Sequence, residues 1–181
     1  MRLALPAFPV EGGCVCGAVR YRLSGRPRAL YACHCHDCQR FSGGSHSMSM
    51  PVAAADVTLL SGGTARYDKA ADSGRIVAVH FCAHCATRLW HAPARSPGVL
   101  NLKPGTLDDT SWLVPVAHVW TARRQAGTAI PAGGPGRCSP PPGPGGPPPR
   151  RGPRGGSPPS RPPPGAVRGR GRPAPPAAAA R

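Results

Sequence analysis

ACHCHDCQR, residues 32–40, places three cysteines and two histidines within the six positions from Cys33 to Cys38. A catalytic dyad needs one thiol and one base, and a disulfide needs two thiols at a set backbone separation, so neither accounts for the third sulfur. Metal ligation does, and the other cysteines extend the pattern. Cys14 and Cys16 lie in GGCVCG and Cys82 and Cys85 in FCAHCA, while Cys138 stands apart and takes no role.

Setting Cys138 aside, seven cysteines divide naturally as four plus three. A structural zinc takes four ligands in a closed tetrahedron, whereas a zinc that does chemistry takes three from the protein and keeps one position open. Cys14 and Cys16 with Cys82 and Cys85 can close around one ion by bringing two β-turns together, which ties distant parts of a domain. Cys33, Cys35 and Cys38 then form a second site with a vacancy. Three thiolates against Zn²⁺ leave a net charge of about −1, a weaker Lewis acid than a site of three imidazoles. The expected role is to deliver or shield a thiolate.

His34 and His36 are expected to point away from the metal, since successive residues of an extended loop alternate in direction. Were one of them to bind, the second site would close and become structural. His84, between two turn cysteines, reads the same way. Cys82 and Cys85 could instead be a redox dithiol, but the βαβ setting of such motifs is missing. A lone C-x-C says little. Its coexistence with a C-x-x-C and a C-x-C-x-x-C triplet in one β-rich chain is specific.

The formal charge of the 181-residue chain is +16, unevenly spread. Residues 1–125 hold 14 of the 23 Lys and Arg and all 7 acids, for +7, and nine arginines in residues 126–181 supply the other +9. No apolar run is long enough for a spanning helix. Pro6 and Pro9 interrupt the opening MRLALPAFPV, and no long apolar region or cleavage site follows. The expectation is a cytoplasmic protein with reduced cysteines. From Ala126 onward 31 of 56 residues are Pro or Gly and none is aromatic, so residues 126–181 are expected to be a disordered tail with polyproline II character. Two readings of that tail compete: a basic arm that attracts nucleic acid or another polyanion, or the product of a shifted reading frame in GC-rich DNA. The second is the simpler.

Residues 1–125 look different. AVRYRLSG, DVTLLSGG, RIVAVHF, GVLNL and LVPVAHVW carry β-branched and aromatic residues between turn residues, and no segment keeps helical periodicity for three turns. A mainly β domain is expected, small enough to gain from metal cross-linking. Gly12, Gly13 and Gly17 let the backbone of GGCVCG take positive φ and bring amides to sulfur. Ala86 follows the last metal cysteine, where a zinc knuckle favours positive φ, at an expected cost of about 1 kcal/mol. Asp108 and Asp109 could be a general-acid pair, but a turn is the commoner use of such a dipeptide. Trp112 and Trp120 are expected in the core, and His118 on a strand near the metal layer.

Together GGCVCGAVRY (12–21), CHCHDCQRFSG (33–43), LLSGG with ARYD (59–68), HFCAHCATRLW (80–90) and GTLDDTSWLVPVAHVW (105–120) resemble the glutathione-dependent formaldehyde-activating enzyme family, also called the GFA or centromere-protein-V domain family. The resemblance implies a complex fold of coiled antiparallel sheets, shared with zinc-containing guanine-nucleotide exchange suppressors. It implies two zinc ions per chain, a structural one on Cys14, Cys16, Cys82 and Cys85 and a catalytic one on Cys33, Cys35 and Cys38. The implied activity is carbon-sulfur lyase chemistry on S-hydroxymethylglutathione, the adduct of formaldehyde and glutathione, with proton help from His34, His36 or His46. Two departures stand out: Ala86 replaces the family's glycine, and RRQAGTAIPAGG replaces the R-x-x-W patch after HVW.

The sequence thus supports a zinc-dependent enzyme acting on a small thiol adduct. The alternative is a non-catalytic, zinc-stabilised binding module whose basic tail contacts nucleic acid or an acidic partner. Against it, the domain's aromatic residues are not interleaved with arginines as a single-strand platform requires.

Overall fold

The computed structural model describes residues 5–71 and 74–131 and the backbone of residues 136–137. All of these lie in the first of the chain's two compact units, Met1–Gly146. The second, Pro147–Arg181, falls outside them, as does Cys138, so the disorder and polyanion readings of the tail concern residues that are largely not described.

In chain order the elements are β1 (Val10–Gly13), β2 (Arg20–Leu23), β3 (Tyr31–Cys33), α1 (His36–Ser42), β4 (Ser47–Ala53), β5 (Val57–Ser61), β6 (Thr64–Ala70), β7 (Ile76–Cys82), β8 (Arg88–Pro93), β9 (Val99–Leu102), β10 (Ala117–Val119) and β11 (Gly136–Arg137). The fold is mainly β, as the alternating apolar runs indicate. One sheet has the order β1-β2-β5, and a larger one runs β11-β10-β3-β4-β9-β8-β7-β6. Most neighbours are antiparallel, but β10 lies parallel to both β3 and β11. Parallel neighbours need a long crossover, and here it comprises nearly everything between Cys33 and Ala117.

Side-chain alternation separates the faces of the large sheet. Met50 and Val52 of β4, Leu102 of β9 and Trp90 of β8 turn into the core, where Tyr21, Leu23 and Leu30 join them. The Tyr21 ring meets Trp90 edge-on at 6.0 Å, and its hydroxyl pairs with Thr106 Oγ1 at 2.8 Å. Gly12 is required there, since a Cβ at that position would lie 2.6 Å from the Tyr21 hydroxyl oxygen. Trp112 packs against the core. Trp120 does not: it holds φ 59 and lies under the Arg123 guanidinium at 5.1 Å. The sequence reading of Trp120 as core is corrected, because the chain turns away from the sheet directly after β10.

The short helix α1 covers the other face. It escaped the periodicity reading because its seven residues make only two turns. Its ends are well specified: Cys35 is the N-cap, Asp37 lies in the first turn, Arg40 in the last, and Gly43 closes it with φ 64.

Candidate metal centre

Two turns bring four sulfurs together. After β1, the Cys14 amide donates to Val19 O and the Gly17 amide to Cys14 O, both at 3.0 Å, and the Val19 amide reaches Cys14 Sγ at 3.2 Å. Between β7 and β8 the Cys82 amide donates to Thr87 O and the Ala86 amide to Cys82 O, both at 2.9 Å. The Val15 amide donates across to Thr87 Oγ1 at 3.2 Å and joins the two turns. Sγ of Cys16 lies 3.4 Å from that of Cys14 and 3.8 Å from that of Cys82, and all four sulfurs, Cys85 included, fall within 4.8 Å of one another. Ligands ~2.3 Å from a tetrahedral zinc stand about 3.8 Å apart, so these four have the dimensions of such a site. A Cys82–Cys85 dithiol acting alone does not describe this arrangement.

Ala86 has φ 59, the conformation that the knuckle turn demands and an L-residue resists. Replacing it by glycine removes a left-handed clash of ~1–2 kcal/mol but increases the entropy of the unfolded chain. Ala86→Gly is therefore expected to stabilise the domain by up to about 1 kcal/mol. A higher denaturant midpoint at unchanged m-value is the check.

The remaining sulfurs, Cys33, Cys35 and Cys38, lie within 4.8 Å of one another at the junction of β3 and α1. Cys33 ends the strand and is buried, Cys35 caps the helix, and Cys38 sits in its first turn. The Cys33 thiol donates to Cys35 Sγ at 3.5 Å, and the Cys38 amide donates to the same sulfur at 3.4 Å. The hydrogen bond from Cys33 holds Cys35 down to about 2, and the same contact drives Cys33 up. Among the described residues, no imidazole or carboxylate joins either sulfur set.

The histidines near the triplet face elsewhere. His34 is fully buried, its Nε2 lies 2.9 Å from His118 Nδ1, and its ring packs on His118 and His46 at 5.2 Å each. His34 is thus turned toward His118, which lies on β10 beside β3 as expected, and is not one of the residues that converge with the three sulfurs. The loop itself is fastened by β10 and by the turn beyond it: the His34 amide donates to Val119 O at 3.0 Å, and Gln39 Nε2 donates to both His34 O and Arg123 O. Asp108 and Asp109 lie apart from both sulfur sets. Asp108 takes two hydrogen bonds from Arg20, and Asp109 accepts the Ser111 amide in a turn.

Several residues beside the triplet were not legible as site residues. In the β3–β4 register Cys33 opposes Ser47 and Tyr31 opposes Ser49, so these side chains share one sheet face. Arg88 Nη2 donates to Ser47 Oγ and Lys103 Nζ to Ser49 Oγ, both at 2.7 Å. The Arg88 guanidinium also stacks over Phe41 of α1 at 5.0 Å, and Phe41 meets His91 at 5.7 Å. Burial lowers Lys103 to about 8, against the pull of the Cys38, Cys33 and Cys35 sulfurs. Burial also pushes His91 down to about 2, with Lys103 and Arg88 adding to the effect, so its ring is neutral. A cleft of about 220 Å³ opens at this edge between Ser42, His46, Ser47 and Lys103. A second concavity, of about 260 Å³, lies over the β6–β9 region; no cysteine lines either one. Only the alternation SMSM (47–50), which sends two hydroxyls to one face, hinted at the polar side of the sheet in the sequence.

The profile of the family described as "Glutathione-dependent formaldehyde-activating enzyme" matches residues 9–123, a span that includes both sulfur sets. The chain belongs to the glutathione-dependent formaldehyde-activating enzyme (GFA) family. A Halomonas elongata protein, provisionally named a glutathione-dependent formaldehyde-activating enzyme, is 31% identical over 106 residues, which are 55% of this chain and 66% of that protein. The crystal structure of a Rhodobacter sphaeroides protein is similar over 54% of this chain and 87% of its own, at 19% identity and a TM-score of 0.44. For this GFA chain, the two cysteine clusters are residues that could hold metal ions. Among the described residues, no helix is long and apolar enough to cross a membrane.

Proposed function

We propose that the protein is a zinc-dependent carbon-sulfur lyase that forms or cleaves a small thiol-aldehyde adduct of the S-hydroxymethylglutathione kind. One observation carries the reading: three converging sulfurs with no fourth side-chain ligand among the described residues, on the sheet face whose Ser47 lines an open cleft. The family and the named Halomonas relative support the thiol and the aldehyde as partners. In this reading Cys14, Cys16, Cys82 and Cys85 hold a structural ion, and Cys33, Cys35 and Cys38 the catalytic one. Zinc on the triplet would keep a substrate thiol ionised at the open position.

The chain's own residues supply the rest. In the forming direction a sulfur-carbon bond forms at the aldehyde carbon, the C=O π pair moves to oxygen, and a proton follows it. The reverse step breaks the same bond and returns the proton. His46 lines the cleft and takes the role of holding that proton. His34, buried against His118, keeps the loop in place rather than meeting substrate.

Exchange between free formaldehyde and its glutathione adduct, followed by two-dimensional NMR, tests the proposal. Zinc-loaded protein should raise the exchange rate above the spontaneous one and metal-free protein should not. A zinc-loaded protein that leaves the rate unchanged for glutathione and for smaller thiols would sink it.

A further inference from the structure

Among the described residues, the cations beside the triplet have no carboxylate of their own. Lys103 is 6% exposed, and Arg88 has Nε and Nη1 buried without a partner among the described residues. Among the described residues, neither forms an ion pair. The single acid of the covering helix, Asp37, is engaged by Lys69 at 2.6 Å and Arg40 at 3.7 Å. Buried charges normally have a counter-charge, and unmet guanidinium donors are costly to leave dry. The thiolates supply part of that charge. Three thiolates with Zn²⁺ amount to about −1, against two cations, so one positive charge is left over when nothing is bound.

The strand register places a ligand's path beside these cations, although neither the triplet nor Arg88 itself lines the cleft. Ser47 and Lys103 both line the 220 Å³ cleft, and Ser47 is the cross-strand partner of Cys33. Opposed residues of an antiparallel pair have Cβ atoms about 5 Å apart. A molecule whose sulfur reaches the triplet therefore has its next few atoms beside Ser47, the hydroxyl that Arg88 holds and the neighbour of Lys103 on the cleft wall. The cleft is smaller than the ~300 Å³ and upward of drug-sized sites, and so suits a short thiol or one arm of a longer one.

We propose that Arg88 and Lys103, oriented by Ser47 and Ser49, form an anion subsite that takes the carboxylate of a thiol ligand bound at Cys33, Cys35 and Cys38. This rests on the lyase reading of the triplet and adds a substrate class to it: thiols that carry a carboxylate a few atoms from sulfur. Arg88 contributes its two unmet donors and Lys103 its ammonium, as charge-assisted hydrogen bonds to the carboxylate.

Titration calorimetry on the zinc-loaded full chain with 3-mercaptopropionate, its amide 3-mercaptopropionamide, and propionate tests this. The acid should bind at least about tenfold tighter than the amide, in line with one charge-assisted contact. In Arg88→Gln and in Lys103→Gln that preference should fall below about twofold, with affinity for the amide kept. Equal binding of acid and amide by the unaltered protein overturns the subsite and leaves the lyase reading standing, and this comparison requires no variant to fold. A preference that survives both substitutions also overturns it, because cations acting only as counter-charges to the sulfurs would alter zinc affinity instead. If neither thiol binds but propionate does, in an Arg88-dependent way, the subsite stands and the thiol reading of the triplet falls. If none of the three binds, both fall.

Discussion

Cys82→Ser is expected to abolish the cooperative unfolding transition of the domain. Cys82 is fully buried, belongs to the hydrophobic core and converges with Cys14, Cys16 and Cys85. A structural zinc contributes roughly 10–16 kcal/mol in small metal-dependent domains, comparable to the ~5–15 kcal/mol by which whole domains are stable. Removing one of four thiolates forfeits much of that and leaves a hydroxyl in a dry site. Apart from the contacts of the cysteines themselves, the turn after β1 is joined to the β7–β8 turn by the Val15 to Thr87 hydrogen bond, which is exposed. Circular dichroism melts with zinc analysis of the same samples provide the check. A melting midpoint within a few degrees of the unaltered protein, at unchanged zinc content, would show that these four sulfurs do not hold the fold.

The second large effect is expected at Cys35. Serine is as good an N-cap as any residue, so Cys35→Ser keeps an acceptor for the Cys38 amide at the start of α1 while removing the sulfur that ionises first. The helix and the sheet should persist while the triplet loses its metal. Native mass spectrometry is expected to show two zinc ions per chain falling to one, with near-native circular dichroism and no measurable thiol binding. The pair of variants is diagnostic: Cys82→Ser should lose structure, Cys35→Ser only the ligand. Loss of both metals on changing Cys35 would mean that the two sets are not independent.

The sulfur groupings were legible because spacing alone constrains them. C-x-C and C-x-x-C spacings hold two sulfurs close together along the chain, and seven thiols leave few ways to complete two sites. The β character was equally legible in runs such as RIVAVHF, which became β7. What stayed hidden depended on distant neighbours. Helix α1 is too short for periodicity to register, and its cap is a cysteine whose spacing also reads as metal ligation. Lys103 and Arg88 look like surface residues in LKPG and ATRLW. Their burial comes from the β4–β9 and β7–β8 registers and from α1 lying over the same face. The parallel pairing of β10 with β3 joins residues more than eighty positions apart, and no local signal encodes it.

That pairing also sets an order of events during synthesis. The four-sulfur set is complete once Cys85 has been made, whereas the loop that carries Cys33, Cys35 and Cys38 is clamped by Val119 and Arg123. If the two sets bind metal as proposed, a nascent chain would complete its first site once Cys85 has been made and its second only after β10 has docked beside β3. The setting of the triplet would then be finished only when the domain around it is nearly complete.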